Sequence, residues 1–110
     1  MLTGRSVIGL DNSGDQQEKI FSFSTLKGAF LAEGFSIASA AEVELAIEKA
    51  KKAFPVFSNL PATVRASFLE AIAEEIMAIG DPLLERANLE SGLPMPRLTG
   101  ERDRTVNQLR

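Results

Sequence analysis

From Ser39 onward, apolar side chains recur at helical spacing and are interrupted at short intervals by proline and glycine. The first segment opens with Ser39-Ala-Ala-Glu42, a capping box in which the serine hydroxyl and the glutamate carboxylate each satisfy a backbone N–H. Pro55 is predicted to end this helix. Its apolar stripe is Val43, Ile47, Ala50 and Phe54. The proline and glycine residues leave only short connections between successive helices, which favours an antiparallel helical layer.

Three further helices are predicted after Pro55. They run from about Pro61 to Ala78, from Asp81 as cap with Pro82 in the first turn up to Gly92, and from Arg97 to Arg110. The second has the strongest amphipathic pattern, and its stripe is Val64, Phe68, Ile72, Ile76 and Ile79, flanked by Leu69 and Ala73. The fourth has few large apolar residues, so most of it is expected to face solvent.

Residues 1–37 have a different pattern. Two β-favouring runs, residues 6–8 and 19–23, lie on either side of a polar loop at 11–18, which predicts one hairpin. Phe21 and Phe23 share one face of the second run and need a packing partner. The predicted fold class is α+β, mainly α: a β-hairpin with its connecting segment (1–37) followed by about four helices in a layer (38–110), together forming a single partial domain.

Composition excludes several classes of function. With 45% apolar and 25% charged residues the chain resembles ordinary globular domains. It has no cysteine and no histidine, which removes disulfides, a thiol nucleophile and the usual imidazole base. A net charge of -3 indicates neither a nucleic-acid nor a membrane partner. No apolar run approaches the ~20 residues of a membrane span, and the N-terminus lacks a secretory pattern, so a cytoplasmic location is expected.

Few residues suggest a chemical site. The glycines match neither a dinucleotide fingerprint nor a phosphate loop. Glu74 and Glu75 are adjacent on a helix and point apart, so a solvated face is favoured over an acid–base pair. Two basic groups allow an anion or substrate site, but dipole effects and structural pairing with acids such as Glu101 and Asp103 are favoured. These groups are Lys49, Lys51 and Lys52, and Arg97, Arg102, Arg104 and Arg110.

The last 21 residues carry a family resemblance. Glu90-Ser-Gly-Leu-Pro-Met-Pro-Arg-Leu-Thr-Gly-Glu-Arg-Asp-Arg-Thr-Val-Asn-Gln-Leu-Arg110 resembles a stretch of NADP-dependent aldehyde dehydrogenases, especially those oxidising 2-oxoglutarate semialdehyde (2,5-dioxopentanoate). The resemblance extends over nearly the whole chain. Two positions depart from it: Ser24-Thr-Leu-Lys-Gly28 replaces the family's Asn-Pro-x-Thr-Gly, and Ser91 replaces a usual threonine.

The resemblance implies an N-terminal part of the cofactor-binding domain in a parent enzyme of roughly 500 residues, a size that fits two or three domains. The parent would use NADP or NAD and form a homo-oligomer. The family's catalytic cysteine and glutamate and its nucleotide-binding residues lie beyond the equivalent of Arg110. No catalytic, cofactor-binding or metal-ligating residue is therefore assigned here, and the chain is expected to be inactive alone.

Two alternatives remain at this stage. One is a self-standing helical interaction or oligomerisation module that binds a partner, or itself, through the phenylalanine face. A small-molecule binding module is weaker, because no polar cluster of clear geometry accompanies the apolar residues. If the chain is instead the N-terminal part of a parent enzyme, the isolated chain is expected to expose apolar surface and to self-associate.

Overall fold

The computed structural model describes residues 2–13 and 18–110. In these ranges four strands precede four helices, which confirms the mainly helical α+β class. The strands are β1 (Ser6–Ile8), β2 (Asp11–Ser13), β3 (Lys19–Ser24) and β4 (Ala29–Ser36), and the helices are α1 (Ala40–Ser58), α2 (Ala62–Ile79), α3 (Asp81–Ser91) and α4 (Met95–Leu109). The chain divides into two compact units, one formed by Met1–Phe23 with Phe30–Asn59 and one by Ser24–Ala29 with Leu60–Arg110.

The strands form two hairpins where the sequence predicted one. β1 pairs antiparallel with β2, with Val7 opposite Asn12, and β3 pairs with β4. The expected pairing of 6–8 with 19–23 is therefore wrong. Gly9 explains the first turn, because its φ of +69° permits the tight two-residue connection that returns the chain at once. The predicted loop at 11–18 is partly strand, and its residues 14–17 lie outside the described residues.

Helix α1 begins as its sequence predicts. The Ser39 hydroxyl accepts a hydrogen bond from the Glu42 backbone N–H at 3.2 Å, and the Glu42 carboxylate accepts one from the Ser39 backbone N–H at 2.7 Å. The predicted end at Pro55 is wrong, since the helix continues to Ser58. Proline removes one helical N–H donor and crowds the carbonyl four residues earlier. The helix nevertheless passes Pro55, and the Asn59 side-chain amide donates to the Pro55 carbonyl at 2.7 Å near its end.

The apolar stripe of α1 is present, but the helix buries none of its residues. Val43 is 49% exposed and Phe54 is 70% exposed. The only element of the first unit with which α1 makes extensive contact, among the described residues, is β1. The stripe is thus a helix face with little cover.

In the second unit, α4 packs against both α2 and α3. The buried apolar side chains of this unit are Ala73, Leu84, Leu98 and Val106. Ala73, which the sequence predicts at the flank of the α2 stripe, is fully buried. Val64 and Phe68, placed in the stripe, remain exposed.

The helix ends of this unit follow proline and glycine closely. α2 begins after Pro61 as predicted. Asp81 was expected to cap α3, and this prediction is wrong. Asp81 is the first residue of the helix, the N-cap position belongs to Gly80, and no side chain caps this end. Gly92 ends α3 with a left-handed φ of 71° and donates its N–H to Asn88 at 2.8 Å. α4 starts two residues before the predicted Arg97, and it is mostly exposed as expected.

Candidate functional site

The carboxylates of α2 form no acid–base pair. Glu74 and Glu75 are both exposed. Within residues 2–13 and 18–110, no group of three or more histidine, cysteine, aspartate or glutamate side chains has the arrangement of a metal site. In the same ranges, no helix is long and apolar enough to span a membrane.

The three lysines of α1 lie in different surroundings. Lys49 donates from its ammonium group to the Ile8 carbonyl at 3.0 Å and to the Asp11 carboxylate at 2.9 Å. Lys51 lies 3.8 Å from Glu48, and Lys52 is exposed. Lys49 thus joins α1 to the first hairpin, an attachment that helical periodicity alone did not predict.

Two of the four arginines of the α4 segment form close ion pairs with acids, as structural pairing predicts. The Nε atom of Arg97 lies 2.9 Å from Glu101, and that of Arg110 lies 2.9 Å from Glu70 on α2. Arg102 lies 3.8 Å from Asp103. Arg104 is exposed and has no carboxylate partner in the part of the chain that the structure describes.

The fold changes the electrostatics of Glu42. Its carboxylate accepts hydrogen bonds from the backbone N–H and the hydroxyl of Ser39, at 2.7 and 3.0 Å. The backbone hydrogen bond first, and the hydroxyls of Ser13 and Ser39 after it, lower the pKa of Glu42 below its ordinary value. The perturbed group caps a helix, so its role here is structural.

A groove in the second unit lies between α2, α3 and α4. It encloses about 380 Å³. Its apolar lining is Ile76, Ile79, Leu83, Leu84, Ala87 and Leu98, and α4 adds Glu101, Arg102 and Thr105. The α2 stripe and the apolar residues of α3 predict these apolar side chains, but no local pattern indicates that α4 brings Arg102 beside them.

A second concavity belongs to the first unit and encloses about 310 Å³. The first hairpin and the alanines of α1 line it, together with Lys49. Because Lys49 already binds Ile8 and Asp11, this concavity offers apolar surface without an available cation.

The phenylalanines form surface instead of core. None of the seven, all of them within the described residues, is buried. Phe23 on β3 packs edge-on against Phe30 on β4 with ring centroids 5.3 Å apart, and Phe21 precedes Phe23 on the same face of β3. Phe30 is 70% exposed, so the aromatic face expected from the sequence exists and is uncovered.

These features can pack against other protein but cannot carry out covalent catalysis of the thiol type. The chain has no cysteine and no histidine. In the described residues the single connection from a strand to a helix, residues 37–39, has no glycine. A strand-to-helix turn that cradles a dinucleotide phosphate is therefore not formed there.

Comparison with known proteins gives consistent matches. Residues 13–110 match the aldehyde dehydrogenase family. The chain is 47% identical to alpha-ketoglutaric semialdehyde dehydrogenase 2 of Azospirillum brasilense over 110 residues, which is 99% of this chain and 21% of that protein. It is 42% identical to alpha-ketoglutaric semialdehyde dehydrogenase of Acinetobacter baylyi over 76 residues, which is 69% of this chain and 14% of that protein. The chain thus spans about a fifth of the length of the first of these relatives and less of the second.

Proposed function

Because this chain belongs to the aldehyde dehydrogenase family, we propose that it is the N-terminal structural part of an NAD(P)-dependent enzyme that oxidises an aldehyde to a carboxylate. The observation that carries the proposal is the 47% identity to one such enzyme over nearly the whole chain. By itself the chain is inactive, since it has no cysteine to attack an aldehyde.

The substrate proposed for the complete enzyme is 2-oxoglutarate semialdehyde. Both relatives are named for alpha-ketoglutaric semialdehyde, the same compound. The resemblance of residues 90–110 to enzymes with this substrate supports the same choice.

The proposed cofactor is NADP, with NAD as the other nicotinamide nucleotide. It would supply the hydride acceptor when bound to the complete enzyme. The residues described here do not fit it, because the connection between β4 and α1 lacks glycine. The cofactor site is therefore assigned to the remainder of the enzyme, and the contribution of this chain is to support the fold around it.

The proposed partners are the rest of the parent enzyme and further copies of it in a homo-oligomer. Exposed apolar side chains support this, notably Phe30 and Phe54, each 70% exposed. Large apolar surfaces of this kind are typical of interfaces. The cytoplasmic location expected from the sequence stays a prediction.

A second candidate function is a self-standing interaction module. The paired and exposed rings of Phe23 and Phe30 favour it. It differs from the first proposal in one consequence: such a module would bind its partner without any associated aldehyde oxidation.

The test is a complementation assay. The chain is mixed with a polypeptide comprising the Azospirillum brasilense relative beyond its matched region, and NADPH or NADH formation from 2-oxoglutarate semialdehyde is followed. We expect activity from the mixture and none from the chain alone. Binding without activity, while the intact relative is active in the same assay, would favour the interaction module.

A further inference from the structure

The groove between α2, α3 and α4 has an apolar bed that this chain leaves open. Leu84 and Leu98 are buried at its base. Ile79, at the end of α2, is 52% exposed, and Leu83 is half-buried. An open bed of this size accommodates one or two apolar side chains from another segment.

Arg102 adds a cation to the lining of the same groove. Its side chain is only 14% exposed. The buried Nε has no hydrogen-bond partner among the described residues, and Asp103 lies 3.8 Å away, beyond hydrogen-bond distance. A buried N–H donor without an acceptor is energetically unfavourable. If the Arg102 side chain turns toward a carboxylate of a docked segment, the new hydrogen bond would stabilise the complex between that segment and this chain.

We propose that this groove is the docking site for a segment of the remaining enzyme that places an apolar side chain on the bed and a carboxylate against Arg102. The inference rests on the proposed function. The occupant is chosen because the matched relative has about four-fifths of its length outside the matched region. Because Glu101 in the same lining is already paired with Arg97 at 2.9 Å, Arg102 then selects an acidic residue in the docking segment.

A second copy of this chain fits the groove less well. The acid in the lining of its own groove, Glu101, is already paired with Arg97 at 2.9 Å, so a second copy offers no unpaired carboxylate of the groove to Arg102. Arg102 thus distinguishes an acidic segment from self-association.

The experiment measures binding of this 110-residue chain to the remainder of the Azospirillum brasilense relative, and follows aldehyde oxidation by the same mixture. Ile79→Asn removes apolar contact from the bed, with Met77→Asn as its control, since Met77 is 40% exposed on the same helix and does not line the groove. Arg102→Gln removes the cation, with Arg104→Gln as its control on α4. Circular dichroism establishes that each variant keeps its helices.

We expect Ile79→Asn and Arg102→Gln each to weaken binding about tenfold, as is typical of a buried contact or charge-assisted hydrogen bond. The two controls should stay within about twofold, as at positions outside an interface. Equal binding by Ile79→Asn and Met77→Asn, or by Arg102→Gln and Arg104→Gln, would overturn the proposal. So would a groove variant that abolishes self-association of the chain and leaves binding to the remainder unchanged.

Failure of the proposed function has a different signature. If wild-type chain and remainder bind with the expected sensitivity to Ile79 and Arg102 but oxidise no aldehyde, the docking site stands and the proposed activity is wrong. If the mixture oxidises aldehyde equally well with every variant, the activity stands and the docking site is wrong.

Discussion

Lys49 on α1 forms an ion pair with Asp11 on β2, with 2.9 Å between its ammonium nitrogen and the carboxylate oxygen. The same ammonium donates to the Ile8 carbonyl at 3.0 Å. Because α1 buries none of its own residues, this bridge is a main attachment of the helix to the first hairpin.

Replacing Lys49 with methionine should loosen the first hairpin. The substitution keeps an apolar stem but removes both charge-assisted hydrogen bonds, a loss of about 1 kcal/mol for partly exposed groups. Hydrogen exchange of the β1 and β2 amides is the measurement, and faster exchange is expected. Lys52→Met is the control, because Lys52 is exposed on the same helix. Equal exchange in both variants would show that the bridge does not hold the hairpin.

Replacing Glu42 with glutamine should destabilise α1 in a pH-dependent way. The lowered pKa of Glu42 means that its ionised form is favoured by folding. The stabilisation is therefore present above the carboxyl pKa of the unfolded chain and is lost as pH falls through the lower folded pKa. Denaturant unfolding followed by helix content is the measurement. The midpoint of Glu42→Gln should lie below that of the wild type at neutral pH, and the two midpoints should converge in acid. Glu44→Gln, outside the capping box, should show no such convergence.

Replacing Gly92 with alanine should destabilise the second unit. Gly92 has a φ of +71°, and an added Cβ would lie 2.8 Å from the Thr25 hydroxyl oxygen. The left-handed backbone alone costs an L-residue about 1–2 kcal/mol. Gly100→Ala is a control with the opposite expected sign. Gly100 lies inside α4, and a Cβ added there meets no atom within 4 Å. Alanine at this position should therefore stabilise the helix by ~0.5–1 kcal/mol. Denaturant midpoints of the two variants should therefore move in opposite directions.

The aromatic face should drive self-association of the isolated chain. Phe30→Ser removes a ring that is 70% exposed and packs against Phe23. Sedimentation velocity should show fewer oligomers and a hydrophobic dye should bind less. Leu10→Ser is the control, because Leu10 is 99% exposed on the turn between β1 and β2. A wild-type chain that sediments as a compact monomer without binding the dye would contradict this expectation.

The helices were predictable because their signals are local. The Ser39–Glu42 capping box lies within one turn, and both of its hydrogen bonds form. The end of α3 at Gly92 depends on a single backbone position. Patterns confined to neighbouring residues depend little on the remainder of the fold.

Other features depend on contacts that a linear pattern does not specify. Strands β1 and β2 pair as sequence neighbours because the turn at Gly9 reverses the chain. In α2 the buried residue is Ala73, not one of the large apolar residues of the stripe. The partner of Arg110, Glu70, is 40 residues away. The groove beside Arg102 likewise depends on three helices meeting.

The most direct test of the central claim is the mass of the native polypeptide that carries this sequence. Because 110 residues match 21% of the Azospirillum brasilense relative, a mass about five times 11.9 kDa is predicted, in a species that contains cysteine and oxidises 2-oxoglutarate semialdehyde with NADP or NAD. A native product of 11.9 kDa without that activity would contradict the claim.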